Sequence, residues 1–236
     1  MKLLSIRRTI VAAAAALAAF GAHAIPVALT QLTGLTGTAP NDLTAVYKAD
    51  LSSLGGSFAA ISIGDNSGGV GGAAGQFSGF DLDAIKLSTT NCATAACAAT
   101  AVGLSVFDFL SGVIFTPGTQ RAPADPKLFG TGAGGNTLNN AVATLGLFDG
   151  VATTDASANG FISMGDNGSI AFNLTALTSS AGLFLYIGEV GDNGEVAASN
   201  IQVLRDPVPE PETYALMFAG LGLLGWVGRR RRQAQR

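Results

Sequence analysis

Two carboxylates carry the spacing in this chain that comes nearest to catalysis: Asp81 and Asp83, within Gly79-Phe80-Asp81-Leu82-Asp83-Ala84-Ile85-Lys86. On a β-strand successive side chains alternate. Phe80, Leu82 and Ala84 would then face one way, and the two carboxylates would share the other face about 7 Å apart. That separation falls in the range of inverting glycosidases, where one carboxylic acid protonates the leaving group and the other activates water. The same pair suits a cation or sugar contact. The simplest expectation is a solvated outer strand face, made tolerable by Lys86 nearby, because no aromatic cluster marks a sugar subsite beside it.

Other catalytic chemistries are narrowed by what the chain lacks. Its single histidine is His23, inside a segment that reads as an export signal. Without it the exported chain has no imidazole, which excludes Ser-His-Asp, Cys-His and His-ligated metal chemistry. Cys92 and Cys97 are the only cysteines. An even number in an exported chain points to a disulfide, worth about 2 kcal/mol for so small a loop in the chain-entropy model. A redox role would favour C-x-x-C, and a metal site needs more ligands than this pair offers.

Three Gly-Asp-Asn triplets, at 64–66, 165–167 and 191–193, punctuate the chain. Asn167-Gly168 and Asn193-Gly194 are hairpin signals, since both residue types tolerate positive φ. Oxygen-rich loops of this kind could also bind calcium, the one cofactor considered, but no D-x-D-x-D series supports it and no metal ligand set is assigned. Residues 64–75 contain six glycines and read as a flexible loop that contacts a ligand or merely connects strands. Asn167-Gly168-Ser169 and Asn173-Leu174-Thr175 match the glycosylation pattern, a weak signal on its own.

The elements that must hold these residues lie between two processed-looking ends. Lys2, Arg7 and Arg8 precede an apolar stretch, and Ala22-His23-Ala24 is an A-x-A cleavage site, so residues 1–24 read as a signal peptide. The general secretory route is favoured over the twin-arginine route that Arg7-Arg8 suggests. At the other end, Val208-Pro209-Glu210-Pro211-Glu212-Thr213 forms an extended, exposed spacer, because proline fixes φ and removes backbone donors. Residues 214–228 follow without a charge, with Tyr214, Leu216, Phe218, Leu221, Leu224 and Trp226 among them. About 15 helical residues reach roughly 22 Å, short of the roughly 30 Å hydrocarbon layer, so snorkelling arginines and bilayer thinning must complete the span. Arg229, Arg230, Arg231 and Arg232 place the terminus in the cytoplasm and everything before Pro209 outside. Gly220-Leu221-Gly222-Leu223-Leu224-Gly225 matches a dinucleotide fingerprint in letters only, since no strand precedes it.

This order of Pro209-Glu210-Pro211, short apolar helix and terminal arginine cluster resembles the PEP-CTERM sorting signal of Gram-negative bacteria. The resemblance implies recognition by an exosortase, a membrane-embedded, Cys-dependent, transpeptidase-like enzyme. It further implies cleavage near the Pro-Glu-Pro, an inner-membrane anchor that is transient, and delivery to the cell surface or an exopolysaccharide matrix. It covers only the tail and leaves the exported domain open.

That domain, residues 25–205 ahead of a spacer at 206–213, is expected to be one all-β unit. Within residues 25–207 only Lys48, Lys86, Arg121, Lys127 and Arg205 are basic against 14 acids, a net charge of −9. So acidic a surface repels phosphate backbones and argues against nucleic acid. Short alternating runs predict strands at 44–49, 57–63, 79–87, 103–109, 112–116, 141–148, 160–164, 169–174, 182–188 and 196–204. The Ala-rich piece 139–147 could be helical instead. Ten short strands joined by turns argue an antiparallel β-sandwich or jelly roll between a signal peptide, a single transmembrane helix at 214–228 and an Arg-rich tail at 229–236. The function expected is that of a non-enzymatic surface or matrix protein with a structural or adhesive role. A lectin-like carbohydrate-binding module comes second, and a glycan hydrolase using Asp81 and Asp83 third.

Overall fold

A computed structural model describes residues 24–37, 44–66, 68–69, 73–151, 156–192, 195, 200–208 and 219–221. Its strands are β1 (Ala24–Pro26), β2 (Thr30–Thr36), β3 (Thr44–Asp50), β4 (Ser57–Gly64), β5 (Asp81–Ser88), β6 (Val113–Thr116), β7 (Ile162–Ser163), β8 (Ser169–Ser179), β9 (Phe184–Val190) and β10 (Asn200–Leu204). They form two five-stranded sheets, ordered β1-β10-β4-β8-β6 and β2-β3-β9-β5-β7. Every neighbouring pair is antiparallel. The all-β, sandwich-like class expected from the sequence is what the chain adopts.

Alternation builds the core. Ile61 and Ile63 of β4, Ile170 and Phe172 of β8, and Ile201 and Val203 of β10 point inward from the first sheet. Ala45, Tyr47 and Ala49 of β3, with Leu185 and Ile187 of β9, meet them from the second. Each fully buried Leu, Ile or Phe contributes roughly 1.5–3 kcal/mol relative to exposure.

The second sheet is also covered on its outer face. Val46, Ala84, Phe184 and Tyr186 pack there against Cys92, Ala95, Ala98 and Phe148, a second apolar cluster. This is why β5 and β9 are buried at every position, although only β9 reads in sequence as an almost continuous apolar run. The cover is the short helix Ala95–Thr100. Thr94 caps it, its Oγ1 accepting from the Cys97 N–H at 3.2 Å. The Cys92–Cys97 disulfide, with Cα atoms 5.5 Å apart, closes the same turn. Tyr186 fixes the loop from below: its hydroxyl accepts from the Cys92 N–H at 2.9 Å and donates to the Thr90 carbonyl.

Two expected strands are absent. Residues 103–109 run as coil with a single bridge, Phe107 to Leu174. Within 141–148 the chain makes the helical turn Asn140–Ala143, ended by Thr144 at φ 41°, so the helical alternative holds for its first part. Conversely, β1 and β2 were not foreseen. β2 is a mostly exposed edge strand whose register slips around Gly34, at φ 82°.

The hairpin reading of Asn167-Gly168 also changes. The turn exists, with Asn167 at φ 64° and the Gly168 N–H donating to the Gly165 carbonyl at 2.9 Å. It joins β7 of one sheet to β8 of the other, so it is a corner between layers and not a hairpin. Four glycines meet backbone to backbone at this corner. A Cβ on Gly118 would lie 2.4 Å from the Asp166 carbonyl oxygen and 2.4 Å from the Gly168 nitrogen, and one on Gly79 would lie 2.3 Å from the Gly165 carbonyl. Asn193-Gly194 lies outside the described residues.

Candidate functional site

Asp81 and Asp83 do not face solvent. The alternation expected through this strand breaks at a bulge, where the pairing of β5 with β9 shifts between Leu82 and Ile85. Phe80 and Leu82 reach the inter-sheet core by alternation, and the bulge then turns Ala84 to the outer cluster and Ile85 and Leu87 to the core. Asp81 accepts the Ser163 hydroxyl. Asp83, 0 % exposed, accepts the N–H groups of Asp149 at 3.2 Å and Gly150 at 3.1 Å through Oδ1.

Burial governs both groups. It pushes the Asp81 carboxyl well above the usual carboxylate range, helped by the charge of Glu195 and then opposed by the Ser163 hydroxyl. Burial likewise raises Asp83 to about 7, against the downward pull of the Thr44 hydroxyl and the two N–H groups. The charged neighbours of Asp81 are Glu195, Glu189 and Arg121, whereas that of Asp83 is Asp149. They are two separately held acids, not a pair flanking a shared substrate.

Lys86 does not offset them. Its ammonium donates to the carbonyls of Ala98 and Ala99 at 2.9 Å and of Ala101 at 3.2 Å, at the C-terminal end of the short helix. It also lies 5.0 Å from the centre of the Phe148 ring. A cation there satisfies the orphan carbonyls and complements the helix dipole.

The buried acids that sequence reasoning missed are Glu189 and Glu195, 0 % and 1 % exposed, the Glu195 N–H donating to Glu189 Oε1 at 2.8 Å. The signal was faint: Glu189 sits in Phe184-Leu185-Tyr186-Ile187-Gly188-Glu189-Val190, where nothing but the surrounding apolar run marks it as interior. Among the described residues no group of three or more His, Cys, Asp and Glu side chains is arranged to hold a metal ion.

Two of the Gly-Asp-Asn triplets do come together. The pairing of β4 with β8 sets Gly64 opposite Ser169. Beyond it, the Asn167 N–H donates to Asp65 Oδ2 at 2.8 Å, and the Asp65 N–H donates to the Gly168 carbonyl at 2.8 Å. Gly64, Asp65, Asn66, Asn167, Gly168, Ser169 and Asn200 line an open cleft of about 520 Å³. Asp166 points elsewhere, to Arg121 at 3.4 Å. In the third triplet, Asp192 accepts from Gln31 Nε2 at 2.7 Å, on the other sheet.

The chain leaves the sandwich at a defined place. β10 ends at Leu204. Asn173 of β8 then holds Val208 with both ends of its amide: the Val208 N–H donates to Oδ1 at 2.8 Å, and Nδ2 donates to the Val208 carbonyl at 2.9 Å. β1 lies beside β10, with Ala24 opposite Leu204 and Ile25 opposite Val203. Ala22, the sorting residues Pro209, Glu210 and Pro211, the anchor residues Tyr214, Leu216, Phe218, Leu224 and Trp226, and Arg229, Arg230, Arg231 and Arg232 lie outside the described residues. Leu221 is described, within a helical and exposed stretch, residues 219–221. Among the described residues no helix is long and apolar enough to cross a membrane.

An antiparallel sandwich that ends directly on a proline-rich spacer defines a domain carried by its tail. That tail, residues 207–232, matches the family model described as the PEP-CTERM protein-sorting motif, so the chain carries a PEP-CTERM sorting signal, which implies processing by an exosortase. No curated protein and no solved structure matches the chain.

Proposed function

We propose that this is a non-enzymatic protein, exported across the inner membrane, held by its C-terminal segment, and released by an exosortase to a structural or adhesive place on the cell surface or in an exopolysaccharide matrix. One observation carries the reading: the sorting motif starts at residue 207, three residues past the end of β10, so the sandwich itself is the cargo. The enclosure of Asp81 and Asp83 supports a role without catalysis, as does the lack of histidine after His23. No cofactor is needed for this role.

The test is the intact mass of the protein recovered from its native host, taken separately from membrane and from extracellular matrix. The expected matrix form lacks the first 24 residues and everything from near the Pro-Glu-Pro onward. A protein found only in membrane and still ending at Arg236 would overturn the reading.

A lectin-like role is favoured by one feature, the open polar cleft that gathers Asp65, Asn66, Asn167 and Asn200. Amide and carboxylate groups suit sugar hydroxyls, and the oxygen-rich loops suit calcium. Retention on the host polysaccharide, lost with Asn66→Ala or with chelator, is the expected result. Equal passage of both proteins without retention would remove this second role.

A further inference from the structure

Residues 102–110 link the outer cover of the second sheet to the edge of the first, and they carry large apolar side chains into solvent. Val102 is 84 % exposed, Leu110 89 % and Leu147 58 %, with Leu104 also exposed. Leu104 lines a groove of about 410 Å³ with Ile85, Lys86, Ser105, Phe107 and Phe109, and Val102, Leu110 and Leu147 each adjoin in sequence a residue that lines it. Apolar side chains gathered around one groove mark a surface for a partner or a membrane.

This face is preorganised. Phe107 stacks on Phe109 with ring centres 5.7 Å apart, and both stand edge-on to Phe172. The Leu104 N–H donates to the Leu87 carbonyl at 2.7 Å, and the Thr175 N–H to the Val106 carbonyl at 2.9 Å. Of the charges near it, Lys86 is spent on helix carbonyls, while Asp108 stays at the surface, its carboxylate accepting the N–H groups of Leu110 and Ser111 and the Ser111 hydroxyl. The leucines and Val102 are the apolar part that a partner would meet.

The chain exits beside it. The Asn173 N–H donates to the Gly112 carbonyl at 2.7 Å, and the same residue clasps Val208. The exit therefore adjoins the turn that carries Leu110 at its tip. Only residues 209–213 separate Val208 from Tyr214, where the apolar run begins, a reach of at most about 20 Å. Such a tether cannot turn the far side of the sandwich to the bilayer.

We infer that in the anchored precursor the face made by Val102, Leu104, Leu110 and Leu147 rests on the lipid interface, with the Asn173 clasp setting its orientation. The inference rests on residues 214–228 acting as the membrane anchor. Exosortase would then meet its substrate in one pose, the sandwich seated and the Pro-Glu-Pro strung between clasp and bilayer.

The experiment uses the full chain in phosphatidylcholine vesicles, with a photo-crosslinking phenylalanine derivative replacing either Leu110 or Leu35, the latter exposed on β2 of the other sheet. Lipid adducts at position 110 are expected to exceed those at position 35 by about tenfold, an apolar side chain at the interface against one in water. Asn173→Ala should narrow that ratio, and a ratio it leaves unmoved would overturn the role of the clasp. Equal lipid capture at both positions, or adducts between position 110 and the chain's own residues 214–228, would overturn the docked face while leaving the anchor intact. A chain that fails to float with the vesicles would take the anchor and the inference down together.

Discussion

Asp83 ties an ionisable group to the stability of the whole domain. Its carboxyl titrates near 7 when folded and near 3.8 when free, so between those values the folded state holds a proton that the unfolded state has released. The contribution to stability is complete below pH 3.8 and is lost as pH rises through 7, an effect of roughly 4 kcal/mol. Asp81, raised in the same direction, reinforces it. Urea midpoints should therefore fall from pH 4 to pH 7, and Asp83→Asn, which keeps an acceptor for the N–H groups of Asp149 and Gly150, should flatten that slope. A midpoint that rises over this range would contradict the assignment. In the sequence these acids looked like an outward pair because alternation places them so. They do share that outer side, but it is covered by the 149–150 turn over Asp83 and by Ser163 beside Asp81, partners more than 60 residues away that no local pattern encodes. Asn173 was equally hidden: it showed only as part of a glycosylation pattern, since its partner Val208 lies 35 residues away.

At the scale of elements, the strands legible in the sequence were those with apolar alternation bounded by glycine and asparagine, β3, β4, β8 and β9 above all. Residues 103–109 carry the same pattern yet stay coil: Val106, Phe107 and Phe109 pack against the core, but the backbone finds only scattered partners, at Leu87, Leu174 and Thr175. β2 escaped notice for the opposite reason, a polar Thr-rich edge that needs β3 beside it to be a strand. The corner of four glycines gives a sharp expectation. Gly118→Ala forces a methyl group into three backbone atoms within 2.5 Å, and the protein should fail to accumulate in folded form, measured as soluble yield and far-ultraviolet circular dichroism. The cover of the second sheet is held more softly. Lys86→Met should lower stability by about 1–3 kcal/mol through loss of the charged cap on the Ala98, Ala99 and Ala101 carbonyls. Cys92→Ser with Cys97→Ser should cost about 2 kcal/mol. Urea denaturation of each variant distinguishes these losses from no effect.

For the molecule as a whole, the tail was the most legible part, because a sorting signal is read by an enzyme as a linear order of residue types and so must be visible without the fold. What the sandwich binds was not legible: the cleft draws on β4, β8 and β10, far apart in the chain. Replacing Pro209, Glu210 and Pro211 by alanine should hold the protein in the membrane at full C-terminal length, checked by cell fractionation and mass. The meeting of both ends on one sheet has a mechanical consequence. A pull on the tail, from cell or matrix, reaches the domain first at the two hydrogen bonds of the Asn173 clasp and next at β10, a strand bonded on both sides, to β1 and to β4. Because β1 lies along that same strand, tension applied between β1 and the tail loads one narrow seam, and the rest of the sandwich is spared until that seam gives way.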